Sequence, residues 1–226
     1  MKPSITLAST QTASGETLEC IRHDQDLYLY LDRQPICSTR AYEPETALAR
    51  AAYERTRNYR APKILLAGLG LGHCLREILT LAPKKASIHV AETMKILIDW
   101  NRELLGEKHR SALQDDRLHI HTSSASSTIR QLHQKLDAIL LSTHPSITTA
   151  SRNTLRICAA QINPKGIVCV KASRDQASQI KGVLESCRLR TIITPIGARP
   201  NARARTHAII CAAQRSEYLP SASETA

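Results

Sequence analysis

The stretch ILLAGLGLGH, residues 64–73, decides how this 226-residue chain folds. An apolar run suited to a buried strand leads directly into Gly68, Gly70 and Gly72, and CLREIL then begins an amphipathic helix. A strand that ends in glycines and opens a helix brings backbone N–H groups and the positive helix end close to a ligand, because the missing Cβ atoms leave room. The pattern predicts a nucleoside or nucleotide site at the end of this strand.

The spacing of these glycines separates two classes of ligand. A dinucleotide-type GxGxxG that began at Gly68 would need glycine at position 73, where the chain has His73. The GxGxG spacing therefore favours S-adenosylmethionine over NAD. Glu92 ends the next apolar run, at about the distance at which Rossmann-type folds place the carboxylate that binds ribose hydroxyls. The alternative for Glu92 is a carboxylate near the start of the following helix.

Short β-rich runs alternate with amphipathic helices from residue 63 onward, which is typical of a parallel sheet with crossover helices. Residues 197–206 show no helical pattern, so we expect the last two strands to form an antiparallel hairpin. The fold class is therefore α/β, a seven-stranded, mostly parallel Rossmann-like sheet. Its predicted strands are residues 63–67, 87–92, 117–121, 137–141, 167–172, 190–196 and 207–213.

The segment before this sheet predicts a smaller unit. LECIRH and DLYLYLD read as two strands, with leucine and tyrosine alternating in the second, and they predict a small β-hairpin appendage. The expected organisation is a disordered tail at 1–16, the hairpin and a helix at 17–60, the Rossmann-like domain at 61–215 and a tail at 216–226. The helix is expected to begin at Glu43-Pro44-Glu45.

Composition narrows the class of protein. Seven cysteines with no CxxC pair indicate small buried side chains in a reducing compartment and no metal site. No apolar leader and no run long enough to span a membrane occur, so we expect a cytoplasmic protein. The formal charge of +11 raises nucleic acid as a partner. Few aromatic residues and no nucleic-acid motif make that the weaker alternative.

Residues 40–213 resemble the spermidine synthase-like branch of the class I S-adenosylmethionine-dependent methyltransferase superfamily. The resemblance implies S-adenosylmethionine or its decarboxylated form as cofactor, with Gly68, Gly70 and Gly72 beside the amino-acid portion and Glu92 on the ribose. It also implies a possible homodimer. The segments that carry it are STRAYEPETALARAAYE, ILLAGLGLGHCLREIL, VAETMKILIDWNRELLG, DDRLHIHTSS, LDAILLSTHP and NPKGIVCV.

The chain departs from that family at two places. Relatives carry a Gly-Asp pair after the third strand, whose Asp contacts the adenine amine, and this chain has Ser123 and Ser124 there. Aminopropyltransferases carry an Asp at the end of the fourth strand, where this chain has Ser142. A serine hydroxyl at its ordinary pKa cannot serve as a general base. We therefore do not expect spermidine synthesis.

Several other residues are candidates for the reaction. His144 and His73 are the nearest titratable groups for base work, with a packed or surface histidine as the alternative for each. Tyr42, together with Glu43 and Glu45, belongs to the segment that caps the pocket in similar proteins. The alternative for these three is an ordinary helix start.

Three functions remain open from the sequence. The leading one is a transferase that moves a methyl group to a small-molecule acceptor that could be anionic, with transfer of an aminopropyl group as the weaker interpretation. The second is a non-catalytic homologue that binds a nucleoside or a partner. The third is a basic scaffold that contacts nucleic acid through residues 197–206, where Arg199, Arg203 and Arg205 form either an anion-binding loop or a solvated sheet edge.

Overall fold

The computed structural model describes residues 3–142 and 151–221. Its first part is a four-stranded antiparallel sheet in the order β1-β2-β3-β4. In β3, leucines are buried and tyrosines half-buried in alternation, because one face of the sheet packs on the protein core. The strands are β1 (Ile5–Gln11), β2 (Thr17–His23), β3 (Asp26–Leu31) and β4 (Gln34–Ser38).

This small sheet is larger than the sequence indicated. The predicted hairpin is present as β2 and β3, but one strand is added on each side of it. Residues 1–16 were expected to be a disordered tail, whereas β1 pairs with β2 from Ile5 to Gln11. At the other end, Ser216–Tyr218 forms a short 3-10 helix, and residues 222–226 lie outside the described part.

The main sheet has seven strands and confirms the predicted fold class. Their order is β10-β11-β9-β8-β5-β6-β7; β5 to β9 run parallel to one another, and β11 is antiparallel to both β9 and β10. The antiparallel pair at the sheet's end confirms the hairpin predicted there. The strands are β5 (Lys63–Ala67), β6 (Ser87–Ala91), β7 (Leu118–His121), β8 (Leu136–Ser142), β9 (Ile162–Ser173), β10 (Arg190–Ile196) and β11 (His207–Ala213).

Helices cover both faces of this sheet. One face packs against the first two helices and the other against the last three, through two separate clusters of aliphatic side chains. Burial on both faces explains why residues 138–141 of β8 form a continuous apolar run. The helices are α1 (Glu43–Thr56), α2 (His73–Leu81), α3 (Lys95–Glu103), α4 (Glu107–Ala112), α5 (Ala125–Leu132), α6 (Arg152–Gln161) and α7 (Arg174–Ser186).

A third apolar cluster joins the small sheet to the main domain. Leu97 and Trp100 of α3 pack with leucines of β2 and β3, and Leu71 of the glycine stretch belongs to the same cluster. The small sheet is thereby held over the carboxyl end of β5. None of the helices in the described ranges combines the length and apolar character needed to cross a bilayer.

The strand order reverses between β5 and β8. From β5 the chain proceeds to β6 and β7 on one side, and then returns to β8 and β9 on the other. In open α/β sheets, ligands bind outside the carboxyl ends of the strands at such a switch point. The fold therefore places a binding cleft beside the residues that follow β5, β6 and β8.

Candidate functional site

A cavity of about 270 Å³ lies at this switch point. Its walls come from the carboxyl ends of five parallel strands, from the start of α1 and α2, and from β4 of the small sheet. The described residues that line it are Ile36, Cys37, Glu45, Ala67, Gly68, Leu69, Gly70, Leu71, His73, Ala91, Glu92, Thr93, Met94, Leu97, Ser123, Ser124, Ala125, Ser142, Thr154 and Lys171.

Glu92 lies directly after β6, buried in the wall of this cavity. Its Oε2 accepts a hydrogen bond from the Leu69 N–H at 2.8 Å, and its Oε1 accepts one from the Met94 N–H at 2.9 Å. Burial raises the pKa of Glu92 above its ordinary value, although the N–H groups of Met94 and Leu69 act against that shift. Each oxygen retains a further lone pair, so the carboxylate can still accept from ligand hydroxyls.

The turn at residues 68–72 needs glycine because its backbone adopts positive φ and because it passes close to β8. Gly68 has φ +89°, and a Cβ there would lie 2.7 Å from the backbone oxygen of Ser142. Gly70 and Gly72 also have positive φ, of +53° and +74°. Gly68 and Gly70 line the cavity, whereas Gly72 is the N-cap of α2. The turn therefore brings backbone close to β8 and to the cavity at once.

Asn101 fixes this turn from outside the cavity. Its Nδ2 donates to the Gly70 carbonyl at 2.8 Å and to the Leu97 carbonyl at 2.7 Å. The sequence alone indicated no role for Asn101. The structure shows that the WNREL segment of α3 and the glycine turn are parts of one hydrogen-bonded unit.

The three serines at the positions where the family resemblance predicts a Gly-Asp pair and a further Asp all line the cavity. Ser124 is the N-cap of α5 and accepts a hydrogen bond from the Ser127 N–H, while the Ser123 hydroxyl lies 2.7 Å from that of Thr128. Ser142 ends β8 and is the register partner of Lys171 on β9. Ser123 and Ser124 thus take part in the start of a helix, and Ser142 faces the remaining polar groups of the site.

A buried ion pair forms the far wall of the cavity. Lys171 Nζ lies 2.6 Å from Glu45 Oε1, and the two side chains are 7% and 13% exposed. Burial opposes the charge on Lys171, but the charge and hydrogen bond of Glu45 prevail, so the pKa of Lys171 lies above its ordinary value. Glu45 was predicted to belong to the segment that caps the pocket, whereas Lys171 was predicted only as part of the strand at residues 167–172.

His207 extends this polar wall onto β11. It is the register partner of Ser173, diagonally next to Lys171. Burial lowers the pKa of His207, and the charge of Lys171 lowers it further, whereas Glu45 acts in the opposite direction. Sequence reasoning missed both Lys171 and His207, because the strand pattern accounted for them and nothing local linked them to Glu45.

Of the other candidates predicted from the sequence, some line the cavity and others do not. His73 lines the cavity at the start of α2. Tyr42 is the N-cap of α1, outside the lining, with its ring centroid 5.7 Å from that of His73. His144 lies outside the described residues. Cys37 also lines the cavity, but burial raises its pKa to about 12, so its thiol stays protonated near neutrality.

A group of three histidines lies apart from the cavity, on β6 and β7 at the sheet edge. His89 Nδ1 is 3.0 Å from His121 Nε2, and the His89 ring stacks on that of His119 at 4.9 Å. Burial, the two neighbouring imidazoles and Lys63 together lower the pKa of His89 to about 4. The described residues contain no group of three side chains arranged to hold a metal ion.

Comparisons with known proteins bear on the fold. No protein-family signature and no curated protein matches the sequence. A spermidine synthase in complex with the transition state analogue AdoDATO has a TM-score of 0.76 and 15% identity, over 95% of this chain and 75% of that one. The Thermotoga maritima spermidine synthase has a TM-score of 0.76 and 16% identity, over 95% and 76%.

A third solved structure agrees with these two. A protein from Corynebacterium glutamicum, described as a probable spermidine synthase, has a TM-score of 0.64 and 11% identity, over 95% of this chain and 81% of that one. Identities this low inform on architecture alone. The chain has the fold of the spermidine synthases, which is the fold of the class I S-adenosylmethionine-dependent methyltransferases.

Proposed function

We propose that this protein binds S-adenosylmethionine, or its decarboxylated form, in the cavity and transfers a methyl group from it to a small acceptor. The observation that carries the proposal is the buried carboxylate of Glu92, oriented by the N–H groups of Leu69 and Met94 beside the glycine turn. This is where Rossmann-like folds bind ribose hydroxyls. The AdoDATO complex of a similar fold supports an adenosyl ligand here.

The residues present fit such a ligand. Glu92 has lone pairs left for two ribose hydroxyls, and the glycine turn presents backbone without side chains at the neighbouring wall. The hydroxyls of Ser123 and Ser124 lie on the β7 side of the cavity, where a purine amine or ring nitrogen would find neutral partners. When bound, the cofactor supplies an electrophilic carbon on its sulfonium group.

The chain's own contribution to transfer is positioning. Ser142, Lys171 and Glu45 form the wall on the other side of the glycine turn, where an acceptor would lie. Holding two reactants in line removes much of the entropic barrier, so methyl transfer does not require a strong base. Ser142 can donate or accept a hydrogen bond to orient the acceptor.

The charge of this wall argues against polyamines. A diamine is a cation and needs carboxylates to bind it. The carboxylate near Ser142 is that of Glu45, and Lys171 already neutralises it. Aminopropyl transfer to putrescine would place a second cation beside Lys171, and therefore methyl transfer to another acceptor is the better fit.

The experiment is calorimetry with S-adenosylmethionine, its decarboxylated form, methylthioadenosine and NAD. We expect the adenosyl sulfur compounds to bind and NAD not to bind. In Glu92→Ala the affinity for methylthioadenosine should fall by about 1.5–3 kcal/mol, roughly ten- to a hundredfold. Glu103→Ala, an exposed carboxylate on α3, is the control and should bind like the wild type.

A deoxy ligand separates ribose binding from support of the turn. Removing the 2′-hydroxyl from methylthioadenosine should weaken binding to the wild type and have little further effect on Glu92→Ala, because the missing partner is the same. If the deoxy ligand loses equal affinity for both proteins, Glu92 holds the turn and does not bind ribose. Tight NAD binding without any response to adenosyl compounds would refute the proposal.

A non-catalytic nucleoside-binding protein is the second candidate. The observation that favours it is that Ser124 caps α5, Ser123 contacts Thr128, and Lys171 neutralises Glu45. No free carboxylate then remains on the acceptor side among the described lining residues. Adenosyl binding without S-adenosylhomocysteine release over a panel of neutral and anionic acceptors would favour this candidate over the transferase.

A further inference from the structure

The arginine loop, residues 197–206, joins β10 to β11 at the carboxyl edge of the sheet, the edge that carries the cavity. At its start the Ala198 carbonyl accepts a hydrogen bond from the Glu43 N–H of α1, at 3.4 Å. At its end the Thr206 carbonyl accepts one from the Arg174 N–H of α7, at 3.3 Å. The start of the loop is thus fixed to α1, which lines the cavity through Glu45, and its end to α7.

The loop also has an internal turn. The Ala202 N–H donates to the Arg199 carbonyl at 3.1 Å, and Asn201 has φ +59°. A Cβ on Gly197 would lie 2.7 Å from the Ala202 Cβ, so the chain folds back closely on itself. This turn gathers Arg199, Arg203 and Arg205 over a short stretch of backbone.

These three arginines are exposed, and none makes an ion pair or a side-chain hydrogen bond with the residues that the structure describes. Other arginines differ, since Arg50 and Arg117 bind carboxylates at 2.8 Å. Like charges that are close in space repel unless a counter-charge is present. The loop therefore presents positive charge with free donors.

A row of polar side chains connects the arginine loop to the cavity. Ser142, Lys171 and His207 lie on three neighbouring strands, and all are on the face of the sheet that packs against α1. His207 follows the loop directly, two residues after Arg205. A ligand reaching from the cavity past Lys171 and His207 would meet the arginine loop.

We propose that the arginine loop is an anion-binding subsite that holds a phosphate or carboxylate group of the acceptor. The acceptor assignment rests on the proposed function, whereas anion binding by the loop does not. Guanidinium groups bind both kinds of anion through paired N–H donors. Lys171, at the inner end of the row, is paired with Glu45, so the uncompensated positive charge lies at the loop, and an acceptor with its reacting group at Ser142 carries its negative charge outward.

The test compares two triple variants with the same change in net charge. Arg199→Gln/Arg203→Gln/Arg205→Gln removes the loop charges, and Arg60→Gln/Arg130→Gln/Arg190→Gln removes three exposed arginines elsewhere. Arg190 begins β10 and therefore lies at the opposite edge of the sheet. Binding of inorganic pyrophosphate and of citrate is measured by calorimetry at about 50 and 200 mM salt, which changes the screening length about twofold. Methylthioadenosine is measured in parallel.

We expect the loop variant to lose at least about tenfold in affinity for one of the two anions and most of its salt dependence, while methylthioadenosine affinity stays within about twofold. The control variant should retain anion binding. Preference for pyrophosphate over citrate assigns a phosphate, and the reverse assigns a carboxylate.

Three results would overturn the proposal. Equal losses in both triple variants would show a diffuse effect of net charge. A parallel loss of methylthioadenosine affinity would place the arginines on the nucleoside. Tighter binding of a short single-stranded oligonucleotide than of pyrophosphate, lost only in the loop variant, would assign the loop to nucleic acid. If the wild type binds pyrophosphate through the loop but no adenosyl compound, the proposed function fails and the anion site remains.

Discussion

Gly68→Ala tests whether the close approach of the glycine turn to β8 is required for the fold and the site. The added Cβ would lie 2.7 Å from the backbone oxygen of Ser142, a distance that Cβ atoms essentially never show. Neither atom belongs to a flexible side chain, so the turn or the end of β8 must move. The residue also has φ +89°, a region that alanine disfavours.

Two costs add up in this variant. The left-handed backbone conformation costs about 1–2 kcal/mol for a residue with a Cβ. Relieving the contact with Ser142 costs about another 1–3 kcal/mol, the scale of overpacking in a close-packed interior. The expected loss of unfolding free energy is therefore about 2–5 kcal/mol, which many domains tolerate without unfolding.

Gly106→Ala separates the two costs. Gly106 has φ +83°, and a Cβ there would meet nothing within 4 Å, so this variant should lose only the conformational 1–2 kcal/mol or so. Unfolding in urea, followed by circular dichroism, measures both variants. Methylthioadenosine binding should be lost in Gly68→Ala and unchanged in Gly106→Ala. Equal destabilisation of the two proteins would refute the argument from close approach.

Three further outcomes follow from buried charges. Lys171→Met should destabilise the protein by about 3–5 kcal/mol, because Glu45 is left buried without a counter-charge, and adding Glu45→Leu should recover most of the loss in urea unfolding. The low pKa of His89 means that the unfolded chain binds more protons between pH 6.5 and about 4. As the pH is lowered through that range, the unfolding free energy of the wild type should therefore fall by about 2 kcal/mol more than that of His89→Gln, measured by thermal unfolding in matched buffers. Putrescine and decarboxylated S-adenosylmethionine should yield no spermidine by chromatography; turnover near the usual enzymatic scale of about 1 per second would contradict the charge argument.

Much of the main domain is predictable from the sequence because its signals are local. The apolar runs of β10 and β11 match their observed bounds, and the absence of helical periodicity between them identified the hairpin. The small sheet was harder to see. β1 is mostly polar and part-exposed, and β4 contains a proline, so neither shows the alternation that revealed β3.

The site likewise contains residues that the sequence predicted and residues that it did not. Gly68 and Glu92 were predictable because a turn and the end of the next strand lie close in sequence. The pair Glu45 and Lys171 joins residues 126 positions apart, and each has an adequate local explanation, as a helix-start carboxylate and as part of a strand. Only the packing of α1 on β9 shows that they meet inside the cavity.

The charge of the acceptor side depends on which residue pairs with Lys171. Ser142 is its register partner on β8, so a carboxylate at position 142, as the family resemblance would place there, would lie beside the ammonium group. With serine at that position, Lys171 instead binds Glu45 Oε1, and Glu45 Oε2 is buried with no hydrogen-bond partner in the described part of the chain. A cationic amine entering this region would have to displace Lys171 from Glu45 or remain next to a like charge in a poorly solvated site, and both are costly. Under the proposed function, a neutral or anionic acceptor would meet neither obstacle, and an anionic one would gain from the arginine loop beyond Lys171.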